Sequence, residues 1–434
     1  MQLTPSIHVS HLLRQRLKTI TFQSLESYIP SQIIHAYYQR EGILTRSRVF
    51  SPESTVYCMI GAAFLEDKSQ KNILFKYKEA FEQESDKLVS QRKKTLKKQP
   101  RTGPGRPRTR LGLSKSMLKP LSTSTAALSK AIGRIPKELM KEIFEYSAAF
   151  DHSQAGLWHG YQVFIGDGTY FQLQDTTELA ASYSKEHPES YPRGCLFGIT
   201  HQTTGLIHNF ALGNSELQAA GESLDKLPQG SLFLADELYN CYAIWTKLTQ
   251  GKVDFVTPVK RKRTYEVVRQ LGPGDELVRI KRPAKVSEWA GDTSTFPDSM
   301  LVRRISYAHP VKPDTTAVLI TSITRPEISA ADIIAKYSSR WDIELRIREI
   351  KVSMGINIAR SKSPDGVYKE IAAALTAYNV IRALMAESVK SDFPPYENIL
   401  QEYYTSREEP LVDKLGRTYH HWSPGRPVQT ETTN

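Results

Sequence analysis

The chain has 434 residues and a formal net charge of +12, and 40% of its residues are hydrophobic. This length excludes a single small domain and predicts two or three folded units, at least one with a sizeable core. Three widely spaced cysteines without a histidine cluster exclude a disulfide framework and a Cys/His zinc site. The surplus of Lys and Arg favours a polyanionic partner, most often nucleic acid.

No apolar run is long enough to span a membrane, so the sequence predicts no membrane partner. The first twenty residues lack an apolar core followed by a small-residue cleavage site. We therefore expect no signal peptide and a cytoplasmic location.

The N-terminal residues 1–90 show helical spacing of apolar side chains, which predicts a small helical domain. We expect this domain to bind DNA. Within it, Ser51 is a plausible helix cap, and Pro52 suits the first helical position. Residues 91–122 are rich in Lys and Arg, contain no acidic residue and are interrupted by Gly and Pro. This composition predicts a basic linker or surface loop.

Residues 123–258 begin with a helical pattern and then change to strands, which predicts the first part of an α/β domain. A β-rich run over 161–165 is predicted to stop at Gly166-Asp167-Gly168, and a second run over 231–235 to stop at Asp236. A helix through 242–248 and a strand over 253–256 are expected to follow.

Residues 259–325 contain short β-rich runs separated by turn residues, which predicts a β-rich insertion. A long helix is predicted over 327–352, within a second part of this α/β domain at 326–365. Another helix is predicted over 366–388, and residues 366–434 form C-terminal helices and a polar tail.

Two aspartates, Asp167 and Asp236, share one context because each follows a hydrophobic strand. Side chains at strand ends point into the crevice where α/β domains bind ligands. Two-metal phosphoryl transfer needs several carboxylates around a pair of Mg²⁺ ions, and hard cations prefer oxygen ligands. The alternative is that both residues are ordinary caps or turn residues.

Four polar residues of the predicted long helix fall on one side of it, within an arc of about 60° at 100° per residue. They are Tyr337, Arg340, Glu344 and Lys351, beside a stripe of isoleucines that can pack on a sheet. One carboxylate among cationic donors suits a metal ligand flanked by phosphate contacts. The alternative is a solvated charged face.

These residues carry a resemblance to a known family. Tyr, two residues, Arg, three residues, Glu, six residues and Lys is the spacing from Tyr337 to Lys351. The sequence resembles the bacterial insertion-sequence transposases of the DDE class, in the cut-and-paste group with this Y-R-E-K signature. Asp167-Gly168-Thr169 looks like the surroundings of the family's first aspartate, and the strand before Asp236 looks like the one that delivers the second. The resemblance covers roughly 160–390.

The resemblance implies an RNase H-like catalytic fold, Mg²⁺ (or Mn²⁺) as cofactor, and Asp167, Asp236 and Glu344 as catalytic metal ligands. Hydrolysis would nick the transposon end, and the freed 3′-hydroxyl would attack target DNA. By position, Tyr337, Arg340 and Lys351 would hold terminal phosphates. A homodimer that binds two terminal inverted repeats is implied as well. For a cytoplasmic bacterial protein with a DNA partner, the resemblance also implies association with the nucleoid.

One departure concerns Glu237, which stands where many relatives have Arg after the second aspartate. Glu237 is also a rival metal ligand, as are Asp175, Glu178 and Glu349. Glu344 is preferred to Glu349, because Glu349 falls on another side of the predicted helix.

Further basic and aromatic residues are candidates for DNA contacts outside the catalytic carboxylates. They are Arg106, Arg108, Lys260, Arg261, Arg263 and Trp289. The first two lie in a Gly-Arg-Pro-Arg segment that suits a narrow minor groove. The basic run at 260–263 suits the DNA backbone, and the tryptophan suits stacking on an unpaired base. The alternatives are a solvated basic linker and a packed aromatic residue.

Two other functions remain open from the residues alone. A structure-selective nuclease on the same kind of fold would use the same carboxylates but would not join strands. A non-catalytic regulator descended from a transposase would keep the basic segments, although DNA binding alone does not require three carboxylates.

Overall fold

The computed structural model describes residues 22–43, 50–65, 67–79, 124–149, 156–259, 263–286, 288–309, 314–341 and 355–391, and the short strands at 411–412 and 418–419. In this part of the chain no helix combines the length and apolar character needed to cross a membrane. The mixed α/β class predicted from the sequence is confirmed, since helices surround one large sheet.

Helices precede the sheet, and one cap follows directly from the sequence. They are α1 (Phe22–Tyr28), α2 (Ser31–Arg40), α3 (Pro52–Ala62), α4 (residues 70–79), α5 (Thr125–Arg134) and α6 (Lys137–Ala148). Ser51 caps α3 as predicted, because its Oγ accepts the backbone N–H of Ser54 at 3.2 Å. Pro52 takes the first helical position, where no N–H is needed.

Nine strands of the described chain form a single sheet in the order β3-β2-β1-β4-β5-β9-β8-β7-β6. They are β1 (Val163–Gln172), β2 (Arg193–His201), β3 (Ile207–Gly213), β4 (Leu232–Leu234), β5 (Asp254–Pro258), β6 (Glu266–Gly272), β7 (Asp275–Lys281), β8 (Ser299–Ala308) and β9 (Thr316–Thr321). β4 runs parallel to both β1 and β5, and the other neighbours are antiparallel. Strands β6–β9, predicted as runs within 259–325, therefore continue the same sheet.

Helices cover both faces of the sheet. They are α7 (Thr177–Ser182), α8 (Glu216–Ser223), α9 (Tyr242–Gln250), α10 (Ala330–Ser338) and α11 (Pro364–Ser391). On one face Phe164 and Phe233 pack in a core with α8 and α9. On the other, Ile165 and Leu234 pack with Ile333 of α10. Successive strand residues face opposite sides, so the two cores follow from alternation along β1 and β4.

The first helices share their core with the C-terminal helix α11. Leu25 and Val56 from the N-terminal segment lie in one buried cluster with Phe144 of α6 and Ile371 of α11. Lys369 of α11 is 6% exposed, and its ammonium donates to the backbone carbonyls of Ile132 and Ile135. Apolar contact and a buried cation thus join segments that lie far apart in the sequence.

The predicted end of the first strand is wrong. β1 continues through Asp167 to Gln172, because antiparallel pairing with β2 extends from Phe164 to Gln172. Pairing with β4 stops at Ile165, opposite Leu234. The sequence prediction identified the end of the parallel pairing with β4 but missed the longer antiparallel pairing with β2.

The predicted long helix over 327–352 is also different. α10 ends at Ser338, and a 3₁₀ turn covers Ser339–Trp341. The Ser338 and Ser339 hydroxyls donate to the carbonyls of Ile334 and Lys336, at 2.8 and 2.6 Å. Serine side chains that compete for helical carbonyls favour a helix end. Residues 342–354, with Glu344 and Lys351, lie outside the described residues.

Candidate active site

Asp167 and Asp236 lie just beyond the point where the parallel pairing of β1 with β4 ends. The last parallel pair joins Ile165 of β1 to Leu234 of β4, and each aspartate lies two residues beyond its member of that pair. Neighbouring strands are about 4.8 Å apart. The register therefore brings two carboxylates together at the carboxyl ends of the parallel strands, as the sequence predicts.

Backbone N–H groups fix both carboxylates. The Gly168 N–H donates to Oδ1 of Asp167, and the Leu238 N–H donates to Oδ1 of Asp236, each at 2.8 Å. Asp236 also caps the 3₁₀ turn Glu237–Tyr239, so the alternative that it is a cap residue is confirmed. A carboxylate held by its own backbone has few rotamers left to lose when it binds a cation.

The electrostatics of Asp167 separate it from an ordinary turn residue. Burial raises the pKa of Asp167 to about 6, and the charges on Asp236 and Glu216 add to the increase. The Gly168 N–H and the Arg340 guanidinium oppose it. Negative charge is thus gathered in a partly buried place, a property that is frequent at functional sites.

Tyr337 and Arg340 lie next to the aspartates. α10 packs on the sheet face of Ile165, and Arg340 is 9% exposed with its guanidinium 5.8 Å from the centre of the Tyr337 ring. Burial raises the pKa of Tyr337 to about 12, Arg340 lowers it, and Asp236 raises it further. The structure therefore brings four predicted site residues to one place.

Two predicted DNA contacts are engaged within the protein. The Arg263 guanidinium lies 4.8 Å from the centre of the Trp245 ring and donates to the carbonyl of Asn240. Trp289 lies in a 3₁₀ turn and packs over α8, where a Cβ at Gly221 would come within 2.8 Å of its ring. Packing is the alternative that the sequence left open for Trp289, and stacking on a base stays a prediction.

The remaining candidates fall into two groups. Arg106, Arg108, Lys260 and Arg261 lie outside the described residues. The rival ligands Asp175 and Glu178 are exposed, and Asp175 pairs with Lys185 at 2.8 Å. Glu237 is exposed in the turn after Asp236. Exposure at these acidic positions favours Asp167 and Asp236 as the site.

Comparison with known proteins decides the family. The family model described as "Transposase DDE domain" matches residues 158–380, about half of the chain, which include both aspartates. The chain belongs to the DDE transposase family. It is 27% identical over 322 residues to the transposase InsG for insertion sequence element IS4 of Escherichia coli, covering 69% of each chain. The protein is thus a DNA transposase, an enzyme of DNA cleavage and strand transfer, and the nuclease and regulator alternatives are not favoured.

Two further similarities are found for this transposase. The chain is 30% identical over 169 residues to the putative transposase y4zB of Sinorhizobium fredii, covering 36% of this chain and 43% of that protein. It is similar to a chain in a cryo-EM structure of a piggyBac transposase synaptic complex with hairpin DNA, at 9% identity and a TM-score of 0.37. That match covers 94% of this chain and 87% of the other.

Sequence reasoning missed one acidic residue of this transposase site, Glu216. It is the first residue of α8, half-buried, and its carboxylate lies against the backbone of Gly168. Burial raises its pKa, the Tyr239 hydroxyl lowers it, and Asp236 raises it. The sequence signal was Ser215-Glu216, which resembles an ordinary capped helix start, and Ser215 is indeed the cap.

The donors at this site suit a hard divalent cation. Asp167 and Asp236 offer oxygen ligands only, and their repulsion is the kind that a bound cation relieves. Among the residues that the structure describes, no three His, Cys, Asp or Glu side chains are grouped as a complete metal site. The third ligand predicted from the sequence, Glu344, lies outside those residues.

Proposed function

We propose that Asp167, Asp236 and Glu344 are the catalytic carboxylates of this transposase and bind Mg²⁺, for which Mn²⁺ can substitute. The observation that supports this is the position of Asp167 and Asp236, each two residues beyond the last parallel pair of β1 and β4, where burial and like charge raise the pKa of Asp167 to about 6. Such a carboxylate pair is poorly stabilised alone and well suited to divalent cations.

In this proposal each described residue has a defined task. Asp167 and Asp236 hold the cations, and the backbone N–H groups of Gly168 and Leu238 keep their carboxylates oriented. Arg340 and Tyr337, together with Lys351, bind terminal phosphates of the element. When bound, Mg²⁺ supplies activation of the attacking oxygen and stabilisation of the leaving oxygen.

The reaction has two steps on DNA. Water first cleaves a phosphodiester bond at the transposon end and leaves a free 3′-hydroxyl. That hydroxyl then forms a new bond to a phosphorus of target DNA, and the target's own 3′-oxygen leaves. The partners are double-stranded terminal inverted repeats and target DNA, and we propose a homodimer that holds two ends.

We further propose an RNase H-like fold for the catalytic domain, divided as in the sequence analysis. Antiparallel strands β1–β3 followed by parallel β4 and β5 support it, as does the placement of the aspartates on β1 and after β4. Residues 1–90 and the basic linker 91–122 would contribute DNA binding outside this domain.

A strand-transfer assay tests the proposal. The full chain is mixed with Mg²⁺, target plasmid and a duplex that ends in the inverted repeat flanking its gene, with the 3′-hydroxyl already exposed. We expect joined product from the wild type and none from D167N, D236N or E344Q, with DNA affinity unchanged or higher because a negative charge is removed. Wild-type joining by any of the three variants would exclude that residue from the proposed set.

A further inference from the structure

Glu216 lies on the face of the sheet opposite the Asp167 side chain. Asp167 and Gly168 are successive residues of β1, so their substituents face opposite sides of the sheet. α8, which begins at Glu216, packs on the side of Phe164 and Phe233, whereas α10 packs on the side of Ile165. Glu216 therefore supports the aspartates from the face opposite Tyr337 and Arg340.

The first contact of Glu216 is with Gly168. A Cβ added to Gly168 would lie 2.6 Å from Cγ, 2.8 Å from Cδ and 3.1 Å from Oε2 of Glu216. These separations are shorter than van der Waals contact, so the glutamate occupies the space that a side chain at 168 would need. The glycine after Asp167 is thereby explained by a neighbour rather than by its own dihedral angles.

The second contact of Glu216 is with Tyr239. This tyrosine is fully buried, and its hydroxyl donates to Oε2 of Glu216 at 3.3 Å. Tyr239 closes the 3₁₀ turn that Asp236 caps. One carboxylate thus touches the backbone next to Asp167 and the side chain that anchors the turn after Asp236.

We infer that Glu216 is a positioning residue that sets the separation of Asp167 and Asp236 through Gly168 and Tyr239. The inference rests on the proposed function of the two aspartates. Like charges at the end of adjacent strands repel one another, and cation binding requires them to be held close together. Glu216 lies on the sheet face opposite the Asp167 side chain, which fits support rather than direct coordination.

Three variants of the full chain test this role. E216A removes both contacts, E216Q keeps the shape and an oxygen that can accept from Tyr239, and Y239F removes the donor alone. Binding of Mn²⁺ alone is measured by titration calorimetry without DNA, and the cleavage rate is measured under single-turnover conditions. Thermal unfolding of each variant confirms that it is folded.

We expect E216A to weaken Mn²⁺ binding and slow cleavage by about 10–100-fold, the range seen when a residue that orients a metal ligand is lost. E216Q is expected to stay within about threefold of the wild type, and Y239F to fall between the two. Equal losses in E216A and E216Q would overturn the inference, because the charge itself would then be required. Wild-type behaviour of E216A and Y239F would overturn it too.

A double-mutant cycle isolates the contact with Gly168. G168A is expected to displace the Glu216 side chain and to impair Mn²⁺ binding about as much as E216A does. In the E216A background the same change should have little further effect, because the space is then free and the two changes are not additive. Fully additive losses would contradict the contact.

D167N separates this inference from the proposed function. If D167N loses Mn²⁺ binding while E216A and Y239F keep it, only the role of Glu216 is wrong. If D167N itself binds Mn²⁺ and cleaves DNA as the wild type does, the proposed catalytic set is wrong.

Discussion

Two regions of one sheet contain buried charge in different arrangements, an ion pair in one and like-charged carboxylates in the other. Between β7 and β8, Arg303 is 2% exposed and donates to Asp275 from Nε at 2.7 Å and from Nη2 at 2.6 Å. Its Nη1 donates to the carbonyls of Arg325 and Ile328. Just beyond the parallel pairing of β1 with β4, by contrast, Asp236 and Glu216 add negative charge beside Asp167.

The difference separates a structural charge from a functional one. The Arg303–Asp275 pair is neutral as a unit and has its hydrogen bonds satisfied. The loss of one partner would leave the other charge buried and unpaired, at its full desolvation cost. The carboxylates near Asp167 oppose one another in the absence of a cation. Such an arrangement is unfavourable for folding alone and would be explained by the cation that we propose it binds.

The largest expected effect changes the ligand chemistry of the aspartate site. D236C replaces a hard oxygen by a softer thiolate, so cleavage in Mg²⁺ should fall at least about 10³-fold. Mn²⁺ tolerates sulfur better and should restore part of the rate. E178C, at an exposed acidic position on α7, is the control and should behave as the wild type in both metals. Full D236C activity in Mg²⁺ would show that Asp236 binds no catalytic metal.

The second prediction breaks the neutral pair. R303M should lower the free energy of unfolding by about 3–5 kcal/mol, because Asp275 would remain buried without its partner. The cleavage rate per folded molecule should not change. R304M is the matched control, since Arg304 is more exposed and its partner Glu276 also accepts from the Gln270 amide at 3.1 Å, so it should cost less than about 2 kcal/mol. Urea unfolding measures both, and an R303M chain as stable as the wild type would refute the distinction.

The third prediction is that removing a charge from the aspartate site stabilises the protein. The folded pKa of Asp167 is about 6 against an ordinary value of 3.8, so the folded state holds the proton more tightly. The contribution of the Asp167 carboxyl group to the free energy of unfolding, relative to the amide of D167N, is therefore fully present below pH 3.8. It is lost as the pH rises through about 6. At pH 8 with chelator, D167N should be more stable by up to about 3 kcal/mol.

Added Mg²⁺ gives a second test of this prediction. It should raise the melting temperature of the wild type by mass action and leave that of D167N nearly unchanged. The same variant should lose its advantage in unfolding experiments near pH 4. A D167N chain that is less stable than the wild type at pH 8 in chelator would indicate that the carboxylate is well compensated in the protein.

The sequence predicted what local pattern controls. The hydrophobic runs before Asp167 and Asp236 located two strands, and parallel pairing of β1 with β4 then brought the carboxylates together. The Ser51 cap followed from the residue type and the proline after it. Short-range signals of this kind need no knowledge of the partner strand.

What the sequence did not show depends on contacts between distant segments. The extension of β1 to Gln172 is set by its pairing with β2, and the role of Gly168 is set by Glu216, which is 48 residues away in the sequence. The end of α10 at Ser338 depends on hydroxyl groups that could equally have faced solvent. Such features become visible only when packing is known.

The smallest effect concerns a hydroxyl that borders the aspartate site without carrying its charge. Y337F keeps the ring that packs beside Ile333 and near the Arg340 guanidinium and removes only the group that hydrogen bonds to Arg340. Because Arg340 stays in place, the free energy of unfolding should change by less than about 1 kcal/mol. If the hydroxyl also binds a terminal phosphate, end cleavage should fall about tenfold, the worth of one hydrogen bond to a charged group, while binding to unrelated duplex stays constant. Equal losses in both assays would assign Tyr337 to general DNA binding, and no loss in either would leave it a packing residue of α10.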